Sequence, residues 1–393
     1  MTDHTRRSKP ADRAPTFATP MQIVRPTFPP LDRALERFGR SVAGGQVTNN
    51  GPWVREFERR LEAYLGVPTL VFSSGQAALM AMIRAAGIDG GEVIVPALTF
   101  SATPHAVLWA GAEPVFADIK DDLSFGLDPA DVERRITDRT VAILAVDPYG
   151  IACDYEGLSA VATRHGLKLL VDSAPAFGTT VGGRSIGGFG DAQIFSFHAT
   201  KAFNTMEGGC LSSSDETLIE RARTIRNFGQ GAAGDCSEAG FNGKMMEICA
   251  LLGIEQLGAF DAAVATRVHA AARMATGLRG IGGLEVARAP AGQQPVWLYL
   301  PVIVEPAVFG GDRAAASALL ARENLNVREY YSPACHLMSV YATRRLQPAL
   351  PVAEHAARNV LALPVYNDMT DDECDGVVEA FRRAAEALGS GRA

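Results

Sequence analysis

A run of short strands, apolar along most of their length, constrains this chain more than any other feature. TLVF (69–72), EVIVP (92–96), PVFAD (114–118), VAILAV (141–146), LKLLVD (167–172), AQIFSF (192–197) and GCLSS (209–213) mostly lack the apolar–polar alternation of a sheet with one wet face. Helix-period stretches separate most of them: DPADVERRI, YEGLSAVATRHG, and SSGQAALMAMIRAAG, where Leu79, Met82, Ile83 and Ala86 share a face. Strands that must be buried on both faces, with helices between them, predict a doubly wound α/β domain around a mostly parallel sheet.

The pattern changes after about residue 260. A long helical stretch leads to VWLYLPVIVE (296–305), which reads as a strand, and NVREYYS (326–332) reads as a second. A last helix opens with a capping box, Thr370 and Glu373, ahead of Val377, Phe381, Ala384 and Leu388. The predicted organisation is therefore a flexible, polar and Pro-rich tail (1–20), a large domain (21–260) and a smaller α+β domain (261–393), with 21–46 a candidate to pack on the small domain.

Charge and cysteine usage narrow the function. With 37 basic and 44 acidic residues the net charge is −7, so no overall basic field is available for nucleic acid or an anionic membrane. A phosphate-bearing ligand must be held by local devices. The cysteines at 153, 210, 236, 249, 335 and 374 form no CxxC pair and no Cys/His cluster, which points to reduced thiols in a cytoplasmic protein without a metal site. No apolar run approaches the ~18 residues of a membrane span.

Three features suggest one site. SSGQ (73–76) follows a strand and opens a helix, and its small residues let backbone N–H groups converge on an anion; ordinary turn chemistry is the alternative. Asp172 ends the strand LKLLVD, where open α/β sheets place their ligands, or else it caps the next segment. Lys201 sits in FSFHATKAFNTMEGG (195–209), among small residues that a surface lysine does not need. A desolvated lysine keeps a neutral, nucleophilic amine. An anion cup, a carboxylate and a lysine are the anchors that pyridoxal 5′-phosphate (PLP) requires for its phosphate, ring nitrogen and aldehyde.

The lysine segment, with VDSAPAFG (171–178) before it and FNGKMMEICALLG (241–253) after it, resembles the DegT/DnrJ/EryC1/StrS sugar aminotransferases. VTNNGPWVREFE (47–58) and YYSPACH (330–336) resemble members that aminate C4 of dTDP-4-keto-6-deoxyglucose, and the likeness runs from about Val47 to His336. It implies the type I PLP fold, a homodimer with shared active sites, and an amino-acid donor such as L-glutamate. By the same resemblance Lys201 captures the cofactor's aldehyde and Asp172 pairs with the ring nitrogen. Phe100 stacks on the ring, Gly75, Gln76 and Ser196 form the phosphate cup, and Asn242 reaches the neighbouring subunit's cofactor. Without the resemblance Phe100 reads as core and Asn242 as a turn residue.

Two positions depart from the family pattern. Pro175 stands where a Gln or His usually hydrogen-bonds the cofactor's phenolic oxygen, and Asp147 replaces the His of V-H-x-Y/W-G. Neither touches Lys201 or Asp172, so PLP use stands. The departures keep a non-sugar ketone, such as a cyclitol, open as the substrate. His198 reads as shaping the lysine loop rather than transferring protons.

Overall fold

The computed structural model describes residues 13–231, 234–344 and 348–389. Strands β1 (Thr69–Phe72), β2 (Glu92–Pro96), β3 (Glu113–Ala117), β4 (Thr140–Val146), β5 (Lys168–Asp172), β6 (Ala192–Ser196) and β7 (Gly209–Ser212) form one sheet, ordered β1-β7-β6-β5-β4-β2-β3. Only β7 runs against the others, so the expected mostly parallel sheet is present. Leu70, Phe72, Val95, Leu144 and Leu170 are buried on one face with Leu79, Met82 and Ile83. Val71, Ile94, Ile143, Val171 and Phe195 are buried on the other with Phe57 and Leu61. Each such side chain contributes about 1.5–3 kcal/mol by leaving water, and this two-sided burial is why the strands are apolar along most of their length.

Two helices, α1 (Asp32–Ala43) and α2 (Pro52–Leu65), precede β1, and α3 (Gly75–Ala85) follows it. Gly51 offers α2 no capping side chain, and Glu247 takes that role, accepting from the amides of Trp53 (2.8 Å) and Val54 (3.4 Å). The segments around residues 50 and 245 are thereby fixed to each other.

Strands β8 (Leu284–Val286), β9 (Tyr299–Val304) and β10 (Val360–Pro364) form a second, antiparallel sheet with β9 in the middle. The helix Phe260–Leu278 and the C-terminal helix Asp371–Leu388 pack together, and the capping box of Thr370 and Glu373 is formed. The predicted strand 326–332 is corrected: beyond one bridge between Arg328 and Ala362 it is a loop, and β10 takes the place beside β9. Tyr149 draws that loop toward the large sheet by donating its hydroxyl to the carbonyl of Tyr330 (2.5 Å).

Residues 1–12 of the predicted tail lie outside the described residues. Residues 13–20 are held: Thr16 donates to Glu323 (2.7 Å) and the Phe17 amide to the Glu323 carbonyl (3.2 Å). Partners some 300 residues away, invisible to local composition, tie this stretch to the small sheet's surroundings. Of 21–46, Met21 and Arg25 follow it there, through the Met21–Leu325 bridge and the Arg25–Glu373 ion pair (2.6 Å). Helix α1 instead buries Ala34 against Leu251 and Leu252 of the helix Glu247–Leu257. Among the described residues no single helix is long and apolar enough to cross a membrane.

Candidate active site

Because β1, β2, β4, β5 and β6 point the same way, the segments that follow them meet at one edge of the sheet. A cavity of about 420 Å³ opens there, lined by Gly75, Gln76, Phe100, Asp172, Ser196 and Lys201 among others. Six of the seven residues singled out in the sequence thus share one wall. Asn242 does not: it is exposed, outside the cavity lining, in a bridge with Asn227.

The floor is the start of α3. Ser74 caps it, accepting from the Ala77 amide (3.1 Å), and the first intrahelical bond starts at Ala78. The N–H groups of Gly75 and Gln76 therefore precede the helical ladder, at the positive end of the helix dipole. Gly209 makes this geometry possible, because a Cβ there would stand 2.6 Å from the Gly75 nitrogen and 2.7 Å from the Phe195 carbonyl oxygen. At Gly75 a Cβ would stand 2.7 Å from the Ser196 Cβ. The Gly-Gly pair after the lysine loop lets strand and helix touch.

Period-2 alternation at the end of β6 sets the lysine loop. Phe195 and Phe197 point into an aromatic cluster with Phe177, Phe203 and Phe260, while Ser196 faces the cavity. Lys201 follows on a loop closed by its own amide to the His198 carbonyl (2.8 Å) and by the Ala199 amide to Met206 (2.8 Å). The His198 ring accepts at Nδ1 from the Thr200 amide (3.3 Å), with the Thr200 hydroxyl at 2.8 Å, and its Nε2 faces Glu207 at 3.4 Å. His198 thus braces the loop, in keeping with the sequence reading.

Asp172 is buried and accepts from the Thr103 hydroxyl (2.7 Å) at Oδ2 and from the Ala174 amide (3.1 Å) at Oδ1. Burial pushes its carboxyl above the ordinary value, and Thr103, Ala174 and the Lys201 charge oppose that rise. Burial likewise lowers the Lys201 ammonium, with Asp172 opposing. Burial thus works against the charge of both groups, and each charge favours the other. Phe100, read as core on periodicity alone, is 60% exposed at the cavity. Pro175 is buried in the turn Ser173–Ala176 and does not line the cavity, whereas its neighbour Ala174 does.

Sequence reading missed Thr103, which lies outside the cavity lining but holds Asp172 and shares a hydrogen bond with Thr99 (2.9 Å), and it missed several wall residues. Leu298, Tyr299, Tyr330 and Tyr331 arrive from the second sheet's segments. Buried Arg267 positions the first two, donating to the carbonyls of Val296 (3.1 Å), Trp297 (2.8 Å) and Leu298 (2.9 Å). Asn50 lies in a separate cleft with Arg55 and Arg59, and Lys244 packs over Phe228 at 4.5 Å. The donor set suits a ligand with a phosphate at one end, a ring nitrogen at the other and an aldehyde between. The helix start and Ser196 face the first, Asp172 the second, and Lys201 the third.

Comparison with known proteins gives this geometry a relationship. The chain is 32% identical over 365 residues to the dTDP-4-amino-4,6-dideoxy-D-glucose transaminase of Shigella dysenteriae, covering 92% of this chain and 98% of that one. It is 33% identical to a UDP-N-acetyl-3-dehydro-alpha-D-glucosamine 3-aminotransferase of Acidithiobacillus ferrooxidans, covering 93% and 98%. The crystal structure of DesI with its TDP-sugar product superposes with a TM-score of 0.89 at 36% identity, over 94% of each chain. The family model matches residues 32–382: the chain belongs to the DegT/DnrJ/EryC1/StrS aminotransferase family, whose aminotransferases depend on PLP.

Proposed function

We propose that this PLP-dependent aminotransferase moves an amino group from L-glutamate to the keto group of a nucleotide-linked deoxysugar, at C4 of dTDP-4-keto-6-deoxyglucose. The observation that carries the reading is the meeting of a helix start, Asp172 and Lys201 in one cavity at the carboxyl edge of the sheet. The Shigella relative supports the C4 assignment by its name, and the TDP-sugar product bound to DesI supports the nucleotide.

In this reading Gly75, Gln76 and Ser196 hold the cofactor's phosphate, Asp172 accepts the proton-bearing ring nitrogen, and Phe100 covers the ring. When bound, PLP supplies an aldehyde that captures amines and a protonated ring that takes up electrons. Lys201 would hold the aldehyde and, as a free amine, would take and return a proton at Nζ. A loop of small residues gives Lys201 the reach for both tasks.

The site of one chain is incomplete for such substrates. Among the described residues lining the cavity Lys201 is the one lysine or arginine, so a diphosphate or a donor carboxylate finds no other fixed cation there. Phe100 (60%), Met206 (45%) and Met246 (54%) are exposed apolar side chains. Both features support a homodimer in which Asn242 reaches the partner's cofactor and the partner supplies charge.

The test follows the visible spectrum of the PLP-loaded protein. Adding L-glutamate should bleach the yellow band, and dTDP-4-keto-6-deoxyglucose should restore it faster than UDP- or GDP-linked keto sugars. Lys201→Ala should lose the exchange. A band unchanged by glutamate refutes the donor, and restoration only by a non-sugar ketone refutes the substrate.

A further inference from the structure

Behind the cavity a closed polar cluster joins the ends of β4 and β5 to the start of β6, and the proposed chemistry does not use it. Asp147, fully buried, follows β4, and its amide donates to the Asp172 carbonyl (3.1 Å). Its Oδ1 accepts from the Cys153 amide (2.8 Å), and its Oδ2 accepts from the hydroxyls of Tyr155 (2.6 Å) and Ser173 (2.6 Å). Gln193, buried in β6, donates from Nε2 to Ser173 Oγ (2.9 Å) and to the Tyr155 hydroxyl oxygen (3.3 Å). Its own carbonyl oxygen accepts from the Phe189 amide (2.9 Å), so the side chain is fixed at both ends. Among the described residues no basic side chain pairs with Asp147.

An acid buried without a cation is costly, and an apolar cluster would close the sheet more cheaply. What the acid holds is the segment that carries the cavity's own carboxylate. Ser173 begins the turn Ser173–Ala176, closed by the Ala176 amide to the Ser173 carbonyl (2.8 Å). Inside that turn the Ala174 amide donates to Asp172 Oδ1 (3.1 Å), and Pro175 has no amide to give. Asp147 is therefore hydrogen-bonded to Ser173, and the next residue along the chain, Ala174, carries the one backbone donor to the Asp172 carboxylate.

We propose that Asp147 is a positioning residue for Asp172: by fixing Ser173 it keeps the Ala174 amide on Oδ1 and presents the Asp172 carboxylate to the ring nitrogen of PLP in one orientation. The proposal rests on the reading of Asp172 as the partner of that nitrogen. Without Asp147, Ser173 loses the charged one of its anchors and keeps Gln193 (2.9 Å) and the bond of its own amide to the Ile194 carbonyl (2.9 Å), while the sheet, held by its ladder and its apolar faces, remains.

The experiment reconstitutes the full-length apoprotein with PLP and measures Kd by fluorescence, the pH dependence of the visible band, and Tm. The variants are Asp147→Asn, Ser173→Ala, their double, and Asp172→Asn. Loss of a hydrogen bond to a charged group predicts a PLP affinity roughly tenfold weaker in each of the first two. Because both act through one path, the double should be no weaker than the weaker single. A shifted pH profile of the band should accompany the weaker binding. Wild-type affinity and profile in Asp147→Asn, whatever its Tm, overturn the proposal, and so do single effects that multiply in the double. If Asp147→Asn does not fold, Ser173→Ala carries the same prediction with Asp147 in place. Wild-type affinity and band in Asp172→Asn would show instead that the reading of Asp172 had failed.

Discussion

The ends of β4 and β5 each carry a buried aspartate, one strand apart, and the two are provided for differently. Asp147 has three protein donors and no cation, whereas Asp172 has two donors and the charge of Lys201 beside it. Burial raises both carboxyls above the ordinary 3.8. A carboxylate offers about four acceptor positions, so Asp172 keeps capacity on its cavity side while Asp147 is taken up by the protein. One carboxylate is left for a ligand, and the other serves the backbone that aims it.

The largest effect that tests this contrast is on activity. Asp172→Asn should slow the first half-reaction about 10²–10³-fold, the scale expected when a preorganised electrostatic partner is lost. Asp147→Asn should slow it about tenfold, since it acts through one hydrogen-bonded turn. Stopped-flow bleaching by L-glutamate measures both, and the reverse order would break the comparison.

An intermediate effect concerns the floor opposite Asp172. Gly209→Ala puts a Cβ 2.6 Å from the Gly75 nitrogen, and that backbone cannot move without displacing the start of α3. Urea unfolding should show a loss of about 1–3 kcal/mol, and PLP affinity should fall with it. Gly90→Ala, with nothing within 4 Å of the new Cβ, should stay within about 0.5 kcal/mol. Equal stabilities for the two variants would remove the close approach from the account of the site.

The smallest effect is a pH dependence of apoprotein stability. Because the folded chain holds the Asp147 proton more tightly, the unfolded chain releases it first as pH rises. That contribution to stability is present below about 3.8 and is lost as pH rises through the folded value. Asp147→Asn lacks the titration, so its stability relative to wild type should climb over that window and then level off. Each unit of displacement corresponds to about 1.4 kcal/mol. Urea midpoints of both proteins across the acidic range test it, and a constant difference would mean Asp147 titrates normally.

Much of the architecture was legible in local pattern. Strands apolar on both faces dictated a covered sheet, and their common direction dictated where a ligand could sit. Asp172 and Lys201 were readable because each stands at or just past the end of such a strand. Alternation in FSF also explains why Ser196 faces the cavity while its two neighbours build the core. The departures at Asp147 and Pro175 were visible as letters, but their meaning was not.

The tertiary structure decided everything that depends on segments far apart in the chain. It turned Phe100 out to the cavity, bent a predicted strand into the loop that delivers Tyr330 and Tyr331, and tied residues 13–25 to the small sheet's surroundings. It joined Asp147 to Ser173, 26 positions away, and so gave an unpaired acid its purpose. Periodicity records which side of an element leaves water, because that is a property of neighbours in sequence. Which donor meets which acceptor depends on how the elements pack, and that information is carried only by the folded chain.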